Sequence, residues 1–530
     1  MNARQFRTDA HFSSEQPLRW SAGAVKGRRP WVPMLFLLLP ACSACAGVSE
    51  TGLVTPAAIE REAMGNPAFT DTTLYNELDL CGSPLGMLDA ENADMRFSLG
   101  FESYNESGSG DSMSRNAQVA SLPDILVGKR EVMYLRLFYE PSWLSEKSDA
   151  AGTALSPLHR FGLMSAAQTP GKYFRFGVLA RGFVGTQEGT TGQTATRTHL
   201  GLTALSAYLG SQVHPLVRIG IRGGVTAALD SLRDNIGLTE DRFFYGTIPT
   251  YGGDISVGGG SLPVRSILSL DIAQNHFVYV AKPSATPDGN EDALVADSVY
   301  LSWNTVGSIP AFAGIVCQPA LSLAYKQSAV NRRTPGDKNY PLDYGPVRSD
   351  SGWTISCFTL GAGSAVTMQN YGRAFLEYGH DFFGLSYEKG VGYPNSQRGF
   401  DRIALGLEAN IHAIPALHVP QSIEIFGRLG YANIRTDSRF GAYYGDEFRD
   451  FTALSSGALR SGSESPYRPT LGGDVRISRF TIGTGATFFN RTAGVDLLLG
   501  FCSLMQSRPE GATEFGVNAF YAIGAKKSGM

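Results

Sequence analysis

Asp401-Arg402-Ile403-Ala404-Leu405-Gly406-Leu407-Glu408-Ala409-Asn410-Ile411-His412 decides the fold. Ile403, Leu405, Leu407, Ala409 and Ile411 take one set of alternate positions, and Arg402, Ala404, Gly406, Glu408 and Asn410 take the other. A period of two puts these sets on opposite faces of a strand. The pattern recurs from about Asp94 onward, beginning with Phe97, Leu99 and Phe101 against Arg96, Ser98, Gly100 and Glu102. Further strands are predicted near 131–139, 172–184, 198–210, 215–227, 265–280, 297–306, 312–326 and 353–367. Others fall near 371–388 (one strand or a hairpin), 401–412, 421–434, 473–489, 493–505 and 513–524. Such lengths suit a tilted strand crossing hydrocarbon, which needs ~9–11 residues. The expectation is an all-β chain: a transmembrane antiparallel β-barrel of about 14 strands behind a short N-terminal helical or hatch-like segment.

Composition agrees. Charged residues are 18% of the 530, against about 25% in an ordinary soluble domain. The 62 glycines are roughly 12% where ~7% is usual, which suits tight turns and a crowded interior. A hydrophobic fraction of 43% is too ordinary for a helical membrane protein. A net charge of −3 gives no electrostatic case for a nucleic-acid partner.

The strongly apolar run, from Trp31 to Ala41, is far short of the ~20 residues of a spanning helix. It follows Lys26, Arg28 and Arg29 and precedes small residues, the layout of a cleaved signal peptide over residues 1–46. Ala44-Cys45-Ala46 provides a cleavage site before Gly47. Leu39-Pro40-Ala41-Cys42 is the competing lipobox reading, with a lipid on Cys42, but its proline is awkward there. The expected destination is the cell outer membrane, with outer-membrane lipids and the barrel-assembly machinery as partners. Cleavage leaves Cys81, Cys317, Cys357 and Cys502, whose pairing the spacing does not choose.

Residues 47–93 precede the first strand as a hatch-like segment, and 94–530 form the barrel. Thr55 and Pro56 start a short helix that Gly65 stops. Long polar connections are expected from Asn105 to Asp124, Asp230 to Pro263, Gln327 to Gly352 and Thr436 to Thr470, and short ones at Ser211 to His214 and Ala413 to Pro420. The Thr436 to Thr470 stretch carries Tyr443, Tyr444, Phe448 and Phe451, as a folded surface loop or a ligand contact.

An Arg or Lys facing lipid at mid-depth costs about 2–4 kcal/mol, so the apolar sets must face outward. Arg218, Arg222, Arg373, Glu377, Arg402, Glu408, Glu424 and Arg428 then line the lumen, with Phe375 and Phe426 as its aromatic surface. Arg402 with Glu408, and Glu424 with Arg428, fall on neighbouring strands of one hairpin, as a constriction or as a structural charge network. No H-E-x-x-H, nucleophile elbow or phosphate-binding loop is present, so no catalytic, metal or cofactor site is expected.

Gly65-Asn66-Pro67-Ala68-Phe69 resembles the N-P-A motif of the long-chain fatty-acid transporter (FadL-like) superfamily, whose spirochaete barrels offer one comparison. The resemblance implies a single-chain barrel with Asn66, Pro67 and Ala68 in a hatch at its mouth. It also implies passive movement of small hydrophobic molecules such as long-chain fatty acids, with release through the wall. The chain departs from the usual barrel end in its Lys526-Lys527-Ser528-Gly529-Met530 tail. Two other classes stand beside this one: a porin for polar solutes, and a β-rich surface or assembly protein that transports nothing.

Overall fold

The computed structural model describes Met64, residues 84–90 and the strands and turns between 94 and 524. It omits the connections 108–113, 148–150, 192–193, 235–239, 284–289, 334–352, 388–394, 412–418, 438–473 and 504–511 and a few turn residues. The expected signal peptide, the Asn66-Pro67-Ala68 motif, the helix ahead of Met64 and the aromatic residues from Tyr443 to Phe451 lie outside the described residues.

The sheet begins with β1 (Met95–Ser107), β2 (Ser114–Lys129), β3 (Met133–Lys147), β4 (Ala151–Gln168), β5 (Phe174–Thr191), β6 (Thr194–His214) and β7 (Val217–Asp234). It continues through β8 (Glu240–Gly259), β9 (Leu262–Pro283), β10 (Asn290–Gly307), the short β11 (Ile309–Phe312), β12 (Ile315–Arg333) and β13 (Trp353–Met368). It ends with β14 (Gly372–Tyr387), β15 (Ser396–Asn410), β16 (Ile423–Asp437), β17 (Asp474–Phe488), β18 (Ala493–Ser503) and β19 (Ala512–Ile523). Every pairing is antiparallel between neighbours, and β1 pairs with β19 from Met95–Ile523 to Asn105–Thr513. The sheet is therefore closed. Closure matters in lipid, where an unpaired edge has no water to bond.

Of the nineteen strands, β10 and β11 share one place beside β12, which leaves eighteen places in the wall. The expected fourteen was too low. Three strands were hidden: β2 and β8 within segments taken for loops, and β4 not foreseen. Each carries a proline (Pro123, Pro157 and Pro249), which cannot donate to the ladder and breaks the sequence signal. Register shifts flank Pro123 and Pro157, between Val119 and Asp124 and between Ser156 and His159, so bulges absorb them. The 371–388 stretch is one strand, β14, not a hairpin. Ser211–His214 belongs to β6 and the turn is at 215–216.

Connections at one end are mostly tight, as at 215–216 and 369–371, and the two longest, 334–352 and 438–473, are at the other. Gly314 (φ 80°) and Gly372 (φ 142°) supply the positive φ of two tight turns. By the usual habit of such barrels, the tight end faces the periplasm.

The outer face is a hydrocarbon band. Ile403, Leu405 and Leu407 are 39–43% exposed while Ala404 and Glu408 between them are buried, as the alternation requires. Exposed aromatics ring the wall at two heights. Tyr173, Phe174, Phe312, Tyr371 and Phe489 lie at the tight end, and Tyr251, Phe358, Phe382, Phe480 and Phe501 lie well along their strands. Nine residues separate Phe480 from Phe489, and eleven separate Tyr371 from Phe382. At ~3.3 Å per residue and a tilt of ~40°, the rings stand roughly 23–28 Å apart, matching the ~25 Å apolar band of an outer-membrane barrel. This is an outer-membrane barrel.

Candidate functional site: the barrel interior

An eighteen-strand cylinder is too wide to be filled by short wall side chains, so what covers its inner face matters. Two pieces of the N-terminal segment do so. Met64 is fully buried against Ala365, Phe375, Ala404 and Ala432 of β13 to β16. The turn Pro84–Gly86 and the short helix α1 (Met87–Ala90) lie on a different stretch of wall. There Met87 and Leu88 pack with Leu126, Tyr134, Phe138, Met164, Ala166 and Leu179, and Leu85 and Tyr208 pack against that group.

Glycine makes room at both places. A Cβ on Gly406 would stand 2.1 Å from the Met64 carbonyl oxygen and 2.3 Å from Phe375 Cε1. A Cβ on Gly177 or Gly210 would come within 3.0–3.2 Å of Pro84 or Leu85. The segment thus lies in hollows where the wall has no side chains.

Charged residues use the same device. Arg428 on β16 donates through Nε to Glu408 Oε2 on β15 (2.7 Å) and through Nη1 to Asp496 Oδ1 on β18 (2.6 Å). The second contact skips β17, crossing Gly485, which pairs with Asp496. Glu408 also faces Arg373 of β14, with Nε 2.9 Å from Oε1. The result is a charge chain over five adjacent strands. On another part of the wall Arg222 of β7 donates to Asp271 of β9 (Nε to Oδ1, 2.9 Å), directly over Gly252, which is in register with both. Arg479 of β17 grips Glu514 of β19 past Gly500 of β18. Arg136 and Asp124, on the adjacent strands β3 and β2, form a two-point pair (2.8 and 2.6 Å) that is almost wholly buried, with the guanidinium 5.6 Å from the Phe138 ring centre. Buried ions need such partners, because an unpaired one costs several kcal/mol.

The residues expected in the lumen all fall on the inner face. Glu408 and Arg428 meet directly, as the hairpin placement allows. Arg402 instead lies over Gly379 of β14 (Nη2 3.1 Å from where a Cβ would be), and Glu424 accepts a bond from Thr487 (3.4 Å). Phe375 is buried beneath Met64, and Phe426 is half-buried with the Arg428 guanidinium 5.6 Å from its ring centre. Arg222 finds Asp271, a partner that strand-by-strand patterning did not pick out. Only the register across β8 makes the pair visible. Cys317 and Cys357 carry free thiols. Among the described residues no group of His, Cys, Asp and Glu could hold a metal ion.

No protein-family model matches the chain, nor does any curated protein. Among solved structures it is similar to a Pseudomonas aeruginosa FadL homologue, at 10% identity over 88% of this chain and 98% of that one, with a TM-score of 0.33. It is also similar to P. aeruginosa OccD3 (OpdP), at 9% identity over 81% and 91% of the two chains (TM-score 0.30). A third is the alcaligin outer-membrane receptor FauA of Bordetella pertussis, at 10% identity over 80% and 76% (TM-score 0.33). These likenesses concern the fold alone.

Proposed function

We propose that this chain is a passive outer-membrane channel for small hydrophobic molecules, with long-chain fatty acids as the model cargo. The observation that carries the reading is the apolar inner surface under the N-terminal segment. Tyr134, Phe138, Met164 and Leu179 on one stretch of wall, and Phe375 with its alanines on another, are greasy surfaces inside the barrel, covered by Met87, Leu88 and Met64. A pore for polar solutes gains nothing from such surfaces. A channel for apolar cargo gains binding sites, exposed when the covering segment moves, and needs no energy input beyond the gradient. The inner charges that have been located hold one another, so they act on the wall rather than on a polar solute.

The test is transfer of oleate into liposomes carrying the refolded full-length chain, beside single-channel conductance in the same lipid. Oleate transfer above protein-free liposomes with little ion current supports the reading. Large, steady ion current without oleate transfer would replace it with the polar-solute porin.

A further inference from the structure

The wall is not equally laddered all round. β15 has fifteen residues, and its ladder with β14 contains fourteen pairs, from Gly372–Ala409 to Leu385–Ser396. Its ladder with β16 contains only nine, from Arg402–Ile434 to Asn410–Phe426. Ser396 to Asp401 have no partner on β16, although residues 396–401 continue as strand. On the other side, β16 pairs with β17 along all fifteen of its residues. The slack is therefore confined to one seam, and it lies at the upper end. Phe382 of the upper aromatic ring is in register with Gly399, inside the unpaired stretch.

Side chains hold this seam where the backbone does not. Near its lower end the Glu408–Arg428 pair crosses from β15 to β16, and each partner is anchored further out, Glu408 to Arg373 and Arg428 to Asp496. Midway, Ala404 and Ala432 are register partners across the seam, and both pack against Met64 from inside. Just above, Phe383 and Phe400 meet edge to face with ring centres 5.6 Å apart, presenting an apolar inner surface beside the unpaired stretch.

We infer that the β15–β16 seam is the joint at which this wall parts, opening downward from its unpaired upper end, pinned at the base by Arg428 and braced from inside by Met64. The physical ground is a contest of terms. Each ladder bond left unmade in lipid costs free energy, so the wall parts where the fewest must break and where part of the edge is already open. The pin sets how far parting can run. Met64 makes the joint sensitive to the N-terminal segment: moving the segment removes the brace. The inference deepens the channel reading and rests on it for its purpose, but the joint itself can be measured without any cargo.

Deuterium exchange on the full-length chain in detergent reads the joint directly. Amides in 402–410 and 426–434 are expected to exchange faster than those of β14 and β13. Arg428→Met should speed them further, whereas Arg222→Met, which breaks the comparable Arg222–Asp271 pair elsewhere in the wall, should leave them unchanged. An oxidised Ile403→Cys/Asn433→Cys pair, placed on register partners in a background without other cysteines, should slow them and cut oleate transfer, both reversed by reductant. Exchange at 402–410 as slow as in β14, or a seam that loosens equally in both arginine variants, overturns the inference. Absence of oleate transfer by the unmodified chain, with the exchange pattern as expected, sinks the channel reading and leaves the joint standing.

Discussion

Arg428 binds Asp496 at 2.6 Å although a whole strand separates them, because Gly485 of β17 has no side chain in the way. The arrangement recurs with Arg222 and Asp271 over Gly252, and with Arg479 and Glu514 past Gly500. Glycine in this barrel is a surface on which neighbouring charges lie down. Ties that skip a strand link its two neighbours and fix the register of all three.

Gly485→Ala puts a methyl 2.4 Å from Asp496 Oδ1 and 2.6 Å from Arg428 Nη1. Overpacking of this kind costs about 1–3 kcal/mol. The expected outcome is a lower denaturant midpoint in detergent for Gly485→Ala and almost none for Gly427→Ala, where the nearest atom is Ile411 Cδ1 at 3.8 Å. Equal midpoints for the two variants would show that the crossing is loose.

Arg136→Leu strands the Asp124 carboxylate in a buried place. Removing one partner of a buried pair costs about 3–5 kcal/mol, while replacing both by apolar groups is often nearly neutral. The single variant should unfold at clearly lower denaturant, and Arg136→Leu/Asp124→Leu should recover most of the difference. A double variant no better than the single would mean that Asp124 is not what suffers.

Leu405 lies in the middle of the outer band. Leu405→Arg should lower folding stability in liposomes by about 2–4 kcal/mol, the cost of a cation at mid-depth. On gels, unboiled wild type should migrate apart from the boiled chain, and the variant should lose that difference at lower temperature. Unchanged resistance to heat would place residue 405 away from lipid.

Gly177→Leu fills the hollow in which Pro84 and Leu85 rest. The barrel itself should stay heat-resistant, since residue 177 faces the interior. The N-terminal segment should be displaced, which limited proteolysis reads as faster cleavage near residues 84–90. Unaltered cleavage would mean that the segment is held by other contacts.

The face of each strand was legible from alternation alone, because lipid imposes a sharp penalty on one side and none on the other. The Asp401 to His412 stretch shows this, and so does the placement of Arg428 and Glu408 inside. Strand number was not legible where proline interrupted the pattern, as at Pro123, Pro157 and Pro249. Partners were less legible still. Arg428 with Glu408 follows from a hairpin, but Arg222 with Asp271 spans three strands, and its register depends on turns and bulges whose offsets add up. The place of Met64 carries no local signal at all, since any apolar residue before the first strand could have filled it.

The pairing of β1 with β19 means that the first and last strands of the sheet are each other's missing neighbour. Until Ala512–Ile523 arrives, the chain is a curved ribbon with two raw margins, one at Met95–Ser107 and one at Ala493–Ser503. A chain halted anywhere before that strand cannot seal, and both margins stay adhesive to any other strand. Completion of the polypeptide is thus its own checkpoint: the final strand turns a sticky half-product into a cylinder with nothing left to offer.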